Sequence, residues 1–308
     1  MNKVLITGGA GFIGSHLAEG LAGRGSHVII LDDLSTGNQE NISAVLKQDK
    51  VEFVEGTILS VSLLKKLTQG VDYVFHQAAI PSVSRSIDNP LTSHEANVTG
   101  TLNILITARD AGVKKVVYAS SCAVYGDTPT LPKREDILPN PQSPYAVNKL
   151  AGEYYCHVFR EVYGLATICL RYFNIYGPRQ NPDAEYAAVI PKFLKRISDG
   201  KAPIIYGDGE QTRDFTFVKD VVEANILVAD SQACGIFNIG TGIGTTINEL
   251  ANLIMNMIGS KIEPIYEESR SGDIRHSFAD ISKSVTFGYE PKYSLAEGLR
   301  LTLEGFVK

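Results

Sequence analysis

The run Lys3–Thr7 leads without a break into Gly8-Gly9-Ala10-Gly11-Phe12-Ile13-Gly14, and this junction limits the fold more than any other part of the chain. The spacing is G-x-x-G-x-x-G, set between a β-branched strand and an apolar-periodic stretch from Phe12 to Leu21. Gly8 and Gly11 allow a tight turn in which backbone N–H groups approach a pyrophosphate, with Phe12 and Ile13 opening the helix beside it. Gly14 lets helix and strand pack closely. Three glycines in a turn often serve only the turn. Here they follow a strand, open a helix and form the first βα unit, which is the context a dinucleotide site requires. Asp32 ends the next strand, His27–Leu31, where a carboxylate accepts hydrogen bonds from an adenosine ribose. An acid there disfavours a 2′-phosphate and no arginine follows closely, so NAD is expected rather than NADP.

The same alternation continues through the first half. Val51–Glu55, Val71–His76, Val113–Ala119 and Ala166–Arg171 read as strands. Leu91–Ala111 reads as a helix stopped by Gly112, and Ser143 with Pro144 opens another that runs to about Tyr163. Helices between strands imply right-handed crossovers and a parallel sheet covered on both faces, the doubly wound (Rossmann) α/β arrangement. Ligands of such sheets bind beyond the carboxyl ends of the strands. After Asn174 the pattern becomes mixed: a helix near Val189–Ser198, a strand at Ile204–Tyr206, a helix at Val218–Val228 and a strand at Ile236–Ile239. The expected division is a nucleotide-binding domain, 1–173 plus about 215–240, and a smaller substrate lobe, about 174–214 plus 241–308.

Composition narrows the class. The 308 residues carry a formal charge of −5 with no long like-charge run, which argues against nucleic acid as the main partner. No apolar run approaches the roughly 18 residues of a membrane span. The N-terminus lacks a secretory signal, and cytoplasm is the expected compartment. The four cysteines are far apart and the histidines scattered, so neither disulfides nor a metal site is expected.

Tyr145 and Lys149 stand four residues apart, on one helical face. A free tyrosine has a pKa near 10, too high for a base at neutral pH. A cation one turn away and the positive nicotinamide of NAD favour the phenolate. Tyr-x-x-x-Lys is common by chance as a surface pair. The strand end Ser120-Ser121-Cys122, at the same rim of the sheet, supplies a hydroxyl to relay a proton to the tyrosine.

The glycine motif, Ser-Ser-x-x-Val-Tyr-Gly, Tyr-x-x-x-Lys and Arg171-Tyr172-Phe173-Asn174 together resemble the extended short-chain dehydrogenase/reductase family, and within it the UDP-hexose 4-epimerases, over essentially the whole chain. The resemblance implies Ser121, four residues before Tyr125, as the catalytic serine, with Ser120 nearer the nicotinamide or backbone. It implies Ile58, Gln77, Ala78, Asn97 and Tyr172 as further NAD contacts. For the nucleotide sugar it implies Ser84, Asn174, Ala188, Val189, Tyr206, Arg213, Arg270, Asp273 and Ser277. The implied reaction oxidises the C4 hydroxyl to a transient 4-keto sugar, turns it over and reduces it from the other face. The family's dimers pair the helix of Tyr145 with that of Leu91–Ala111 in a four-helix bundle, so a homodimer is expected.

Dehydratases and decarboxylases of the family carry carboxylates where this chain has Cys122-Ala123, so elimination lacks its tools and epimerisation remains. Ser277 matches a position where a bulky residue narrows the hexose pocket, and serine leaves room for a 2-acetamido group. The expectation is therefore C4 epimerisation of UDP-N-acetylglucosamine and UDP-N-acetylgalactosamine, with UDP-glucose or UDP-glucuronate as the alternative substrates. A protein that binds NAD without turnover would not need the whole set of Tyr145, Lys149 and Ser121. Thr57 departs from the family, standing where an adenine-contacting aspartate is usual, and Gln77 and Pro81 also differ from glucose-specific members.

Overall fold

The computed structural model describes residues 2–182, 188–269 and 274–306. Its centre is a seven-stranded sheet: β1 (Lys3–Thr7), β2 (His27–Asp32), β3 (Val51–Glu55), β4 (Tyr73–His76), β5 (Lys115–Ser121), β6 (Thr167–Tyr172) and β7 (Gly235–Ile239). The order is β7-β6-β5-β4-β1-β2-β3 and every neighbouring pair is parallel. The order reverses between β1 and β4, which opens a crevice at their carboxyl ends.

Near-continuous apolar strands bury both faces, as a parallel sheet requires. On one face Val4, Ile6, Val28 and Ile30 pack with α1 (Phe12–Gly23) and with α5 (Val218–Asp230), whose Val221, Val222 and Val228 join them. On the other, Leu5, Val74 and Tyr118 meet α2 (Gly100–Asp110) and α3 (Pro144–Tyr163) through Ile104, Leu105, Cys156 and Phe159. A third cluster joins α4 (Val189–Ser198), α6 (Ile247–Ile258) and α7 (Leu295–Phe306) around Phe193, Ile205, Phe217 and Ile254. Short strand pairs tie this region together: Ile204–Tyr206 with Ile265–Glu267, and Thr212–Arg213 with both Thr245–Thr246 and His276–Ser277. Among the described residues no helix is long and apolar enough to cross a membrane.

The starts of α3 and α4 lie where the sequence places them. Ser143 accepts from Ala146 N at 3.2 Å, Pro144 fills the first turn, and Gly164 ends α3 in the left-handed conformation. Strands β4 and β5 begin two residues later than their apolar runs suggest. Val71 and Val113 instead close the preceding helices, donating to Thr68 O and Ala108 O. The helix expected over Leu91–Ala111 is one run from Pro90 to Asp110, interrupted by a π turn at Glu95–Thr99. Helix α6 was not legible as such, although Thr246 and Glu249 form a reciprocal capping box at its start.

Gly152 of α3 makes room for the buried Tyr118 side chain of β5. A Cβ on Gly152 would stand 2.3 Å from the Tyr118 hydroxyl oxygen, so only glycine fits there. Gly152→Ala is expected to lower stability by about 1–3 kcal/mol through overpacking, read by denaturant unfolding, with turnover falling because α3 carries Tyr145 and Lys149.

Candidate active site

The glycine turn is built by contact with its neighbours. Gly8 has φ +68, and a Cβ on it would stand 2.6 Å from Ala78 N; on Gly14 it would stand 2.1 Å from Gly8 O. Helix α1 has Gly11 at its N-cap and no side chain capping it, so its first turn presents N–H groups and the positive end of the helix to the crevice. Asp32 accepts from Ala10 N at 2.9 Å and Leu34 N at 2.8 Å. Burial pushes its carboxyl above the usual range, and the Leu34 and Ala10 amides oppose that rise.

A cleft of about 400 Å³ runs from this turn to Tyr145 and Lys149. Gly8, Gly11, Phe12, Ile13, Asp32, Ile58, Gln77, Ala78 and Tyr172 all line it. Gln77 and Tyr172 are fixed with Asn225 of α5 in one hydrogen-bonded cluster, at 2.8–3.3 Å. Asn97 does not line the cleft. From the π turn its carboxamide accepts from Ile80 N at 2.8 Å and donates to Ile80 O at 3.2 Å, bracing the cleft wall from behind. Thr57 lines the cleft and accepts from Leu59 N at 3.2 Å. His76 is a buried brace: Nδ1 lies 2.7 Å from Thr7 Oγ1 and Nε2 2.9 Å from Thr101 Oγ1. Burial lowers its pKa to about 3, with Lys149 adding to the effect, so it is neutral.

At the inner end, Lys149 Nζ donates to Ala119 O at 2.8 Å and lies 5.9 Å from the centre of the Tyr145 ring. Burial lowers the lysine to about 8, with Glu153 acting the other way. Tyr145 is pushed up to about 12 by burial, against a hydrogen bond with Ser121. The expected depression of the tyrosine is therefore not supplied by the chain alone, where desolvation outweighs the cation one turn away. Ser121 also accepts from Ala123 N at 3.1 Å, which fixes the strand end. Ser120 lies in the wall of the cofactor cleft and donates to Glu153 Oε1 at 2.5 Å. Burial raises the Cys122 thiol to about 11, which suits a wall and not a nucleophile.

A second cleft, of about 480 Å³, lies between the sheet ends and the α4–α6 region. Asn174, Ala188, Val189, Tyr206 and Arg213 line it, as the resemblance implies. Ser84 does not: it is exposed on the short helix Val83–Asp88, and Val83 faces the cleft instead. Ser277 is buried on the strand beside Arg213 and is not part of the cleft's lining. Arg270 and Asp273 fall outside the described residues.

Several supporting residues carried no local signal. Ser86 is fully buried and accepts from Tyr145 N at 3.0 Å, anchoring the first turn of α3. Asp214, also buried, accepts from Thr241 N, Gly242 N and Ala279 N at 2.8–3.1 Å and so holds the strand of Arg213. Their partners are distant in sequence, which is why spacing does not reveal them.

The match to known proteins fits this arrangement. A family model described as "NAD dependent epimerase/dehydratase family" covers residues 4–240. The chain belongs to that family. It is 41% identical over 308 residues to a UDP-glucose 4-epimerase of Mycolicibacterium smegmatis, covering 99% of this chain and 98% of the relative. It is similar to the structure of UDP-N-acetylglucosamine 4-epimerase from Methanobrevibacter ruminantium M1 in complex with UDP-N-acetylmuramic acid, at TM-score 0.97 and 41% identity, covering 99% and 98% of the two chains. It is also similar to Thermus thermophilus UDP-glucose 4-epimerase in complex with NAD, at TM-score 0.90 and 38% identity, covering 99% of each chain. The cofactor is NAD, and the glycine turn, the uncapped α1 and the Asp32 carboxylate fit it.

Gly14→Ala should weaken NAD binding at least about tenfold, or about 1.4 kcal/mol, because its Cβ collides with Gly8 O and displaces the turn. Cofactor retention after gel filtration, measured by absorbance and titration, checks this; full retention would remove the close-approach argument.

Proposed function

We propose that the chain is a UDP-sugar 4-epimerase acting on UDP-N-acetylglucosamine and UDP-N-acetylgalactosamine, with Tyr145, Lys149 and Ser121 as its catalytic residues. What carries the activity is the closeness of the two clefts around Tyr145 and Ser121: Tyr145 lines the first, while Ser143, two residues before it, and Ala123, whose N–H Ser121 accepts, line the second. NAD, when bound, accepts the hydride of the sugar's C4 and returns it. Tyr145 takes the proton of the C4 hydroxyl as a phenolate and later gives it back. Ser121, hydrogen-bonded to Tyr145, orients that hydroxyl and shortens the proton's path. Lys149, fixed on Ala119 O, brings positive charge to the phenol and reaches the cofactor cleft.

Arg213 and Asn174 suit the diphosphate, since guanidinium donates in a planar fork and Asn174 lies at the mouth of β6. Tyr206, with the apolar Ala188 and Val189, suits a flat base. Arg270 and Asp273 are proposed to complete the nucleotide site. The N-acetylhexosamine preference draws on the likeness to the M. ruminantium enzyme.

The natural assembly is proposed to be a homodimer. Val147, Tyr154, Val158 and Val162 form an exposed stripe on α3 at helical spacing, and Leu91 is 76% exposed on the neighbouring helical run. Paired with a second copy, these helices would form a four-helix bundle.

Purified protein incubated separately with UDP-N-acetylglucosamine, UDP-glucose and UDP-glucuronate should give the 4-epimer of the first most rapidly, by NMR. No conversion of any of them defeats the epimerase reading. Val158→Glu with Val162→Glu should convert a dimer to a monomer in sedimentation velocity, and an unchanged dimer would place the interface elsewhere.

A further inference from the structure

Beneath the catalytic rim lies a buried ion pair that the reaction itself does not use. Arg171 grips Glu153 with both arms, Nε to Oε1 at 2.8 Å and Nη2 to Oε2 at 2.7 Å. Ser120 donates to the same Oε1 at 2.5 Å. All three side chains are almost fully buried. They come from α3, β5 and β6, the three elements that carry the site. Ser120 precedes Ser121, Arg171 precedes Tyr172, and these strand ends pair in register, Ser120 with Arg171 and Ser121 with Tyr172. Glu153 lies one turn beyond Lys149 and two beyond Tyr145, on the same face of α3.

We propose that Glu153 is a positioning residue for the epimerisation: it clamps the helix of Tyr145 and Lys149 onto the strand ends of Ser121 and Tyr172, with its carboxylate one helical turn from the Lys149 ammonium. This rests on the reading of Tyr145 and Lys149 as the catalytic pair. A buried pair is by itself weak support for stability, because desolvation offsets much of the attraction. The geometry gives it another use. The bidentate grip fixes direction as well as distance, and the hydroxyl of Ser120 extends it to the residue beside Ser121.

Its charge acts in the same place. Lys149 faces Tyr145 and Glu153 on its own helix, Tyr118 with its ring centre at 5.1 Å and the Ala119 carbonyl on β5, and neutral His76 on β4. Among these Glu153 is the carboxylate, and its charge opposes the loss of the lysine's proton that burial favours. Arg171 remains cationic: burial disfavours its charge, and the Glu153 hydrogen bonds more than offset that.

The test uses the full chain loaded with NAD. Tyr145→Phe comes first, because a folded variant that remains active defeats the catalytic pair itself and leaves Glu153 aside. Glu153→Gln keeps the shape and removes the charge. Glu153→Met with Arg171→Met removes both charges, so that no buried ion is stranded. With rates taken per folded protein, both should keep KM within about threefold and lose about tenfold in kcat. The alkaline limb of kcat should move down by about one pH unit, since the ammonium then loses its proton more easily. Glu153→Asp should keep the limb and lose kcat through its shorter reach, and it decides the matter where the others do not fold. Wild-type kcat in any folded variant overturns the proposal, as does a lowered kcat with the limb unmoved in Glu153→Gln or the double variant.

Discussion

The seat of α3 on β5 sets most of the chemistry available to this chain. Gly152 leaves no side chain between the helix and Tyr118, and the resulting approach is what lets Lys149 reach Ala119 O and Glu153 reach Ser120. At the other end Ser143 caps the helix and Ser86 holds Tyr145 N, so the first turn cannot slide along the sheet. The glycine turn obeys the same rule on the opposite side of the crevice, where Gly8 and Gly14 allow backbone to touch backbone. Both halves of the site thus rely on an absent Cβ, at the turn to let backbone approach backbone and at Gly152 to admit the Tyr118 ring.

Such proximity brings charges into the interior, and each is compensated nearby. Isolated burial of one ion costs several kcal/mol even after relaxation. Arg171 and Glu153 cancel each other, and Asp214 is met by a ring of backbone amides and the Thr241 hydroxyl. Asp32 is likewise held by amides at the end of β2. Lys149 is the least compensated of these, with a carbonyl as its direct partner and a carboxylate one turn away. Burial accordingly lowers the lysine to about 8, with Glu153 opposing that fall.

The legible parts of this design were those encoded by neighbours in sequence. The glycine spacing, the Ser143-Pro144 start of α3 and the Tyr145–Lys149 pair each lie within a few residues, and each stands where spacing places it. Errors arose where direction, not position, decides. Along Val83–Ser86 successive side chains face different ways: Val83 lines the sugar cleft, Ser84 faces solvent, Arg85 lines the cofactor cleft and Ser86 is buried against Tyr145. The resemblance assigned contact to Ser84, one residue away from both partners. Asn97 instead braces Ile80 of the cleft wall, because the π turn aims its carboxamide there, a local distortion that apolar periodicity does not register. Arg171 was visible only as a letter in a motif and Glu153 in none, since their pairing exists once β6 lies beneath α3.

Tyr145 brings these strands together. In the field of the chain alone it is held as a phenol, pushed up to about 12, and Ser121 only moderates that rise. A general base at neutral pH must therefore draw on charge from outside the polypeptide. One positive charge about 4–6 Å away, at an effective dielectric near 20, is worth about 3–4 kcal/mol, enough to bring an acid down by about two to three pH units. The cleft that ends at Tyr145 is the place where such charge can be held, and Lys149, kept cationic by Glu153, lowers the remaining barrier. On the proposed assignment of Tyr145 as the base, proton transfer is then conditional on what the cofactor cleft holds. The glycine turn and the tyrosine, at opposite ends of the crevice, act as one electrostatic site.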